Sequence, residues 1–166
     1  MIIRDATAKD TDKIAEIWNH NIRHTVNTFT TAEKTPVGLA QDIAKRQEEG
    51  KGFLVADDSG QTVGFATYFQ FRGGPGYAYT AEHSVMLDVA AQGRGAGRAL
   101  MTALEDHARG AGMHSLIAGV AGENTDGVRF HAALGYETIA TLPQVGRKFD
   151  RWMDLILMQK LLESVR

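Results

Sequence analysis

The chain of 166 residues contains no cysteine. That excludes disulfides, thiolate-ligated zinc and a cysteine nucleophile, so any group transfer has to proceed without a thiol-linked enzyme intermediate. A surplus of one charge is missing too: 18 Lys and Arg stand against 20 Asp and Glu, a formal net charge of −2. With no Lys/Arg run either, nothing favours a nucleic-acid partner. The apolar runs are too short to span a bilayer, so no membrane partner is expected. The opening "MIIRDATAKD" lacks the basic-then-apolar layout of a secretory signal, and we find no repeat, linker or low-complexity tract. With 43% apolar and 23% charged residues, the expectation is one globular domain over residues 1–166 in the cytoplasm.

What is present alternates between two periods. "IIR" reads as a first strand, and Thr7 with Asp10 as a capping box for a helix running to about His20. Ile14, Ile17, Trp18 and Ile22 form its apolar face at helical spacing. The polar stretch "VNTFTTAEKTP" reads as a loop. A second helix follows, about Val37–Glu49, closed by Gly50. "GFLVADD" and "TVGFATYFQF" flank "DSGQ" as a hairpin. "RGGPGY" breaks the pattern before the strand "TAEHSVMLDV". A third helix spans about Gly95–Gly110, "HSLIAGV" is a buried strand, and "NTDGVRFHAALGY" is a helix stopped by Gly135. "ETIATL" and "RWMDLILMQK" read as closing strands, although a helix also fits the last apolar run. The order β-α-α-β-β-β-α-β-α-β-β defines an α/β protein with a mixed sheet and about four helices on its faces. Trp18 and Trp152 read as core anchors. His20 and His24, four residues apart, lack the carboxylate–His pattern of a metal site, and no metal is expected.

The stretch "AAQGRGAGRALM" places three glycines and two arginines between a strand and a helix. Free N–H groups and partial positive charge at a helix start attract anions, and glycines let backbone approach a pyrophosphate closely. Arg94 and Arg98 could add charge-assisted contacts. A Walker A loop needs Gly-Lys-Ser/Thr, which is absent. A dinucleotide fingerprint starting at Gly93 would require a small residue where Arg98 stands. Q-x-x-G-x-G does fit, as Gln92, Gly95 and Gly97.

This loop resembles the Q/R-x-x-G-x-G/A signature of the GNAT superfamily of acetyl-CoA-dependent N-acetyltransferases. The element order is similar over the whole chain, and Asn124, Phe130-His131 and Leu134-Gly135-Tyr136 resemble the superfamily's second landmark. "EHSVML", "HAALGY" and "GRKFDRWMDLILMQ" look like the branch that acetylates phosphinothricin and methionine sulfoximine or sulfone. The resemblance implies the GNAT fold, with acetyl-CoA as co-substrate and direct attack of the acceptor's α-amino group on the thioester. It implies that the backbone of Val85, Met86 and Leu87 pairs with the pantetheine arm. Gly93, Arg94, Gly95, Ala96, Gly97 and Arg98 would then hold the pyrophosphate, with Gln92 in the same loop and Asn124 beside the cofactor.

An ammonium has to lose a proton before it attacks: a lysine-type amine has a pKa of about 10.4 and a peptide α-amino group about 7.7–8.0. By resemblance the base is Glu82, acting directly or through water. Strand parity puts Glu82, Ser84 and Met86 on one face and His83, Val85 and Leu87 on the other. His131 stands where many superfamily members place a tyrosine, and it is a candidate proton donor to the departing thiolate. Arg72 is a candidate clamp for the substrate carboxylate. Tyr77, Phe29 and Lys148 are further candidates for the substrate pocket, with Lys148 suited to a phosphinate or sulfoximine oxygen. Branch members dimerise, which implies a homodimer. The alternatives are another amine acceptor, such as a protein N-terminus or an aminoglycoside, and a non-catalytic acyl-CoA-binding module.

Overall fold

A computed structural model describes residues 1–163. Seven strands form one sheet: β1 (Ile2–Asp5), β2 (Phe53–Asp58), β3 (Gln61–Gln70), β4 (Thr80–Leu87), β5 (Ser115–Ala121), β6 (Glu137–Lys148) and β7 (Arg151–Leu161). The helices are α1 (Thr11–His24), α2 (Pro36–Glu48), α3 (Ala96–Gly110) and α4 (Thr125–Ala133). The strand order is β1-β2-β3-β4-β5-β7-β6. Every pairing is antiparallel except β4 with β5, which α3 joins as the crossover helix that a parallel pair needs. The mixed α/β sheet and the element order agree with the sequence reading. No helix among the described residues is long and apolar enough to cross a membrane.

At β2 and β3 the sheet is covered on both sides, which explains why these strands are apolar without alternation. Phe53, Val55 and Phe65 pack under α1 and α2 with Ile14, Ile17, Leu39 and Ile43. Leu54, Ala66 and Tyr68 point the other way, onto Leu100, Met101 and Leu104 of α3. Their tight hairpin turns at Ser59 (φ 56°) and Gly60 (φ 88°), the two positive values that match the twist of the flanking strands.

Three sequence assignments change. The Thr7–Asp10 capping box is present, but it closes a short 3-10 turn at Ala8–Asp10 that leads into α1, and α1 runs on to His24. β6 is 12 residues long rather than the six of "ETIATL", because register shifts absorb Pro143 and Gln144 (φ 56°) and let pairing resume at Gly146. Trp152 is no core anchor: it is 59% exposed, with the Arg147 guanidinium 4.8 Å from its ring. The closing apolar run is strand, paired on both edges.

Asp10 pins the first strand to the sheet. Its buried carboxylate accepts both terminal nitrogens of Arg4 (2.9 and 2.8 Å), the Thr62 hydroxyl (2.7 Å) and the Thr7 amide (2.8 Å). Asp10→Ala removes the acceptor that these donors share, leaving Arg4 only Asp57 and the Asp5 carbonyl. It should lower stability by about 2–3 kcal/mol, read as an earlier urea midpoint at unchanged slope.

Candidate active site

The site begins where two strands part. β4 and β5 pair only from Thr80–Ser115 to His83–Ala118. Beyond that point β4 continues to Leu87 bound to β3 alone, and β5 continues to Ala121 bound to β7 alone. Their facing edges carry backbone groups without a strand partner, and a cleft of about 740 Å³ opens between them. Val85, Met86 and Leu87 line one wall, and Gly119, Val120 and Ala121 the other. Parity on β4 divides as read from the sequence. His83, Val85 and Leu87 meet the α3 side of the core, and Met86 meets the α1 side.

At the mouth, Gly93 (φ 76°) and Gly95 (φ 85°) adopt left-handed backbone that only glycine holds without strain. Asp88 steadies the turn by accepting the Ala90 amide (3.0 Å) and pairing with Lys13 (2.6 Å). α3 then starts with no side-chain cap at Gly95, so its first-turn amides stay available to an anion. A Cβ on Gly97 would lie 3.2 Å from the Phe130 ring, so a bare backbone here lets α3 and α4 approach. Gln92, Gly93 and Gly97 line the cleft; Arg94, Gly95, Ala96 and Arg98 do not. Arg94 is turned to Asp58 (3.0 Å), Ala96 is buried, and Arg98 is exposed on the helix surface.

Glu82 stands at the vertex, half-buried on β4 opposite Ile117 of β5. Its carboxylate leans over Gly119, where an added Cβ would sit 3.7 Å from Oε1. Burial pushes the Glu82 carboxyl above its ordinary value of 4.5, with no neighbouring cation to offset it. It therefore holds a proton more readily than a surface glutamate, as a base working near neutral pH should.

On the opposite face of β4, His83 and His131 form a buried pair, Nε2 to Nε2 at 2.9 Å. His131 Nδ1 lies 2.8 Å from the Gly127 carbonyl oxygen, which can only accept, so Nδ1 carries the hydrogen. In the neutral ring Nε2 then accepts, and His83 Nε2–H donates to it. This leaves His83 Nδ1 as a bare lone pair, in keeping with its lack of any hydrogen-bond partner. Burial lowers both imidazoles from the ordinary value of 6.5; charge on His131 further disfavours charge on His83, while the Gly127 carbonyl and Glu105 partly offset the effect of burial at His131. Tyr136 closes the pair edge-on and is fixed by Glu105 (3.2 Å), which also holds Lys160 (2.7 Å). His131 lines the cleft, but both of its nitrogens are engaged.

Asn124 caps α4, accepting the Gly127 amide at 2.9 Å, and borders the cleft with Phe29. Arg72 and Tyr77 lie outside it: both are exposed, with the guanidinium 5.6 Å from the ring. Lys148 also lies outside, buried with its ammonium donating to three backbone carbonyls, so it has no donor free for a substrate oxygen. Sequence reasoning missed Asn27, Thr28, Gly119 and Leu155, all on the cleft wall. Only Gly119 carried a signal, as a glycine inside an apolar strand.

A parted β4/β5 pair leading to an uncapped, glycine-built helix start defines an acyltransferase architecture. Residues 3–157 match the acetyltransferase (GNAT) domain. The chain belongs to this family. It is 38% identical over 164 residues to the L-methionine sulfoximine/L-methionine sulfone acetyltransferase of Salmonella typhimurium, covering 99% of this chain and 96% of that one. A Salmonella typhimurium acetyltransferase solved with its cofactor acetyl-CoA superposes with a TM-score of 0.95 at 37% identity, over 100% of this chain and 96% of that one. A ribosomal-protein-alanine N-acetyltransferase from Brucella melitensis superposes equally well, TM-score 0.95 at 36% identity, over 98% and 100%.

The histidine pair makes stability pH-dependent. Both pKa values are depressed on folding, so the stabilisation is complete above about pH 6.5 and is lost progressively as pH falls below it. Between pH 7 and 5 the melting temperature should fall, and His83→Gln should flatten that dependence.

Proposed function

We propose that this protein transfers the acetyl group of acetyl-CoA to the α-amino group of a small amino acid of the methionine sulfoximine, methionine sulfone or phosphinothricin type. The observation that carries this reading is the unpaired, half-buried Glu82 carboxylate at the vertex of a cleft whose other end is the open N-terminus of α3. The cleft suits the co-substrate. The first-turn amides of α3 offer donors to a diphosphate, and the unpartnered edge of β4 at Val85–Leu87 offers donors and acceptors to an amide-bearing arm. Bound there, acetyl-CoA supplies an electrophilic carbonyl carbon and a thiolate leaving group.

The chain's residues do the rest. Glu82 takes the proton of the acceptor ammonium, directly or through a water, and its raised affinity for a proton fits that task. Partial burial strengthens its hold on a cationic amine. The role of His131 differs from the sequence expectation: with Nδ1–H committed to Gly127 and Nε2 to His83, it has no proton directed at a departing sulfur. We assign it to fixing α4 as the cleft wall. The exposed apolar side chains of β6 and β7, among them Ile139, Val145 and Trp152, suit burial against a second copy, in keeping with a homodimer.

A second reading is favoured by the Brucella relative: the acceptor is the N-terminal amine of a protein. One assay separates the two. Acetyl-CoA is mixed with methionine sulfone or with an alanine-ended peptide, and free thiol is followed. Release with methionine sulfone is expected; release with the peptide alone would favour the second reading, and none with either would point to a binding module. Glu82→Gln should lower kcat by roughly 10²–10³-fold while acetyl-CoA affinity stays near wild type. In the wild type, kcat should rise with pH through a midpoint above 4.5, and this limb should vanish in the variant. A Glu82→Gln variant as active as the wild type would refute the assignment.

A further inference from the structure

The wall facing Glu82 is a segment with little regular structure of its own. Residues 25–35, between α1 and α2, belong to no helix or strand, yet Asn27, Thr28 and Phe29 line the cleft. Their positions are set from β6, more than a hundred residues along the chain. The Lys148 ammonium donates to the carbonyls of Thr25 (2.6 Å), Thr28 (2.7 Å) and Asn21 (3.3 Å). Two residues earlier, Gly146 has no Cβ because the Phe29 ring occupies its place: an added Cβ would lie 2.5 Å from Cδ2 and 2.6 Å from Cε2. Gly146 and Lys148 are the buried positions of a strand that is otherwise almost wholly exposed, and they share one face at the two-residue spacing. The ammonium faces carbonyl oxygens rather than a carboxylate. A buried cation that donates to backbone carbonyls of the last turn of α1 and of the loop that follows it commits its donors to the shape of that junction.

We propose that Lys148 and Gly146 are positioning residues for the acceptor. By fastening Asn27–Phe29 opposite Glu82, they set which amino acid side chain the cleft admits, and they leave the acetyl-CoA end untouched. This rests on the acceptor reading given above. It moves Lys148 from a ligand of the substrate to a residue that acts through the loop.

The absence of cysteine supplies a clean test, because Lys148→Cys introduces a unique thiol. Alkylation of the unfolded variant with 2-bromoethylamine followed by refolding restores an ammonium of nearly the native length. Alkylation with iodoacetamide gives a neutral control. The expected result for the control is faster amide hydrogen exchange confined to residues 25–30 and a KM for methionine sulfone raised at least about tenfold. The KM for acetyl-CoA should stay within about twofold, and aminoethylation should reverse both effects. Gly146→Ala, which displaces Phe29 while leaving Lys148 in place, should raise the acceptor KM in the same way and keeps the test open if the Lys148→Cys protein refolds poorly. An unchanged acceptor KM in both variants, or equal rises in both KM values, would overturn the proposal while leaving acetyl transfer intact. Failure of the wild type itself to release thiol with any amino acid would instead bring down the acceptor reading.

Discussion

The functional architecture depends on a single interruption of backbone pairing. β4 and β5 share four residue pairs and then separate, although each remains fixed to a neighbour on its other side. Neither strand can swing to close the gap without tearing an antiparallel ladder. The cost of leaving main-chain donors and acceptors without a strand partner is therefore borne by the fold. The same parting places Glu82, in the last pair but one, at the vertex, where water is partly excluded and a carboxylate binds protons more tightly.

The two faces of β4 meet different parts of the molecule. On one face Glu82 looks toward the loop after α1. On the other, His83 meets His131, and Tyr136, Glu105 and Lys160 extend that contact to α3 and β7. This polar chain lies within an apolar cluster, so each member is held by the next, and α4 is tied to the sheet on its α3 side.

Much of the fold was legible because it rests on local signals: helical spacing in α1, the "DSGQ" turn, the glycine loop before α3. At the site, the two faces of β4 were legible from strand parity and the open start of α3 from its glycines, while Glu82 was singled out by the resemblance. What could not be read were contacts between distant segments. Nothing in "GRKF" indicates that Lys148 turns inward to Asn21, Thr25 and Thr28. Nothing near Arg94 indicates that Asp58, at the β2–β3 turn, will claim its guanidinium. The length of β6 was hidden for a related reason: "PQVG" has the composition of a turn, and only pairing with β7 across two bulges makes it strand.

The contact between Gly97 and Phe130 has a mechanical meaning. With an aromatic ring resting where a side chain would otherwise project, the first turn of α3 and the body of α4 interlock as knob and socket. The glycine-built start of α3 and the helix that borders the cleft are thereby one rigid part. A ligand seated at the mouth is felt along the wall, and neither helix can adjust to a new guest alone.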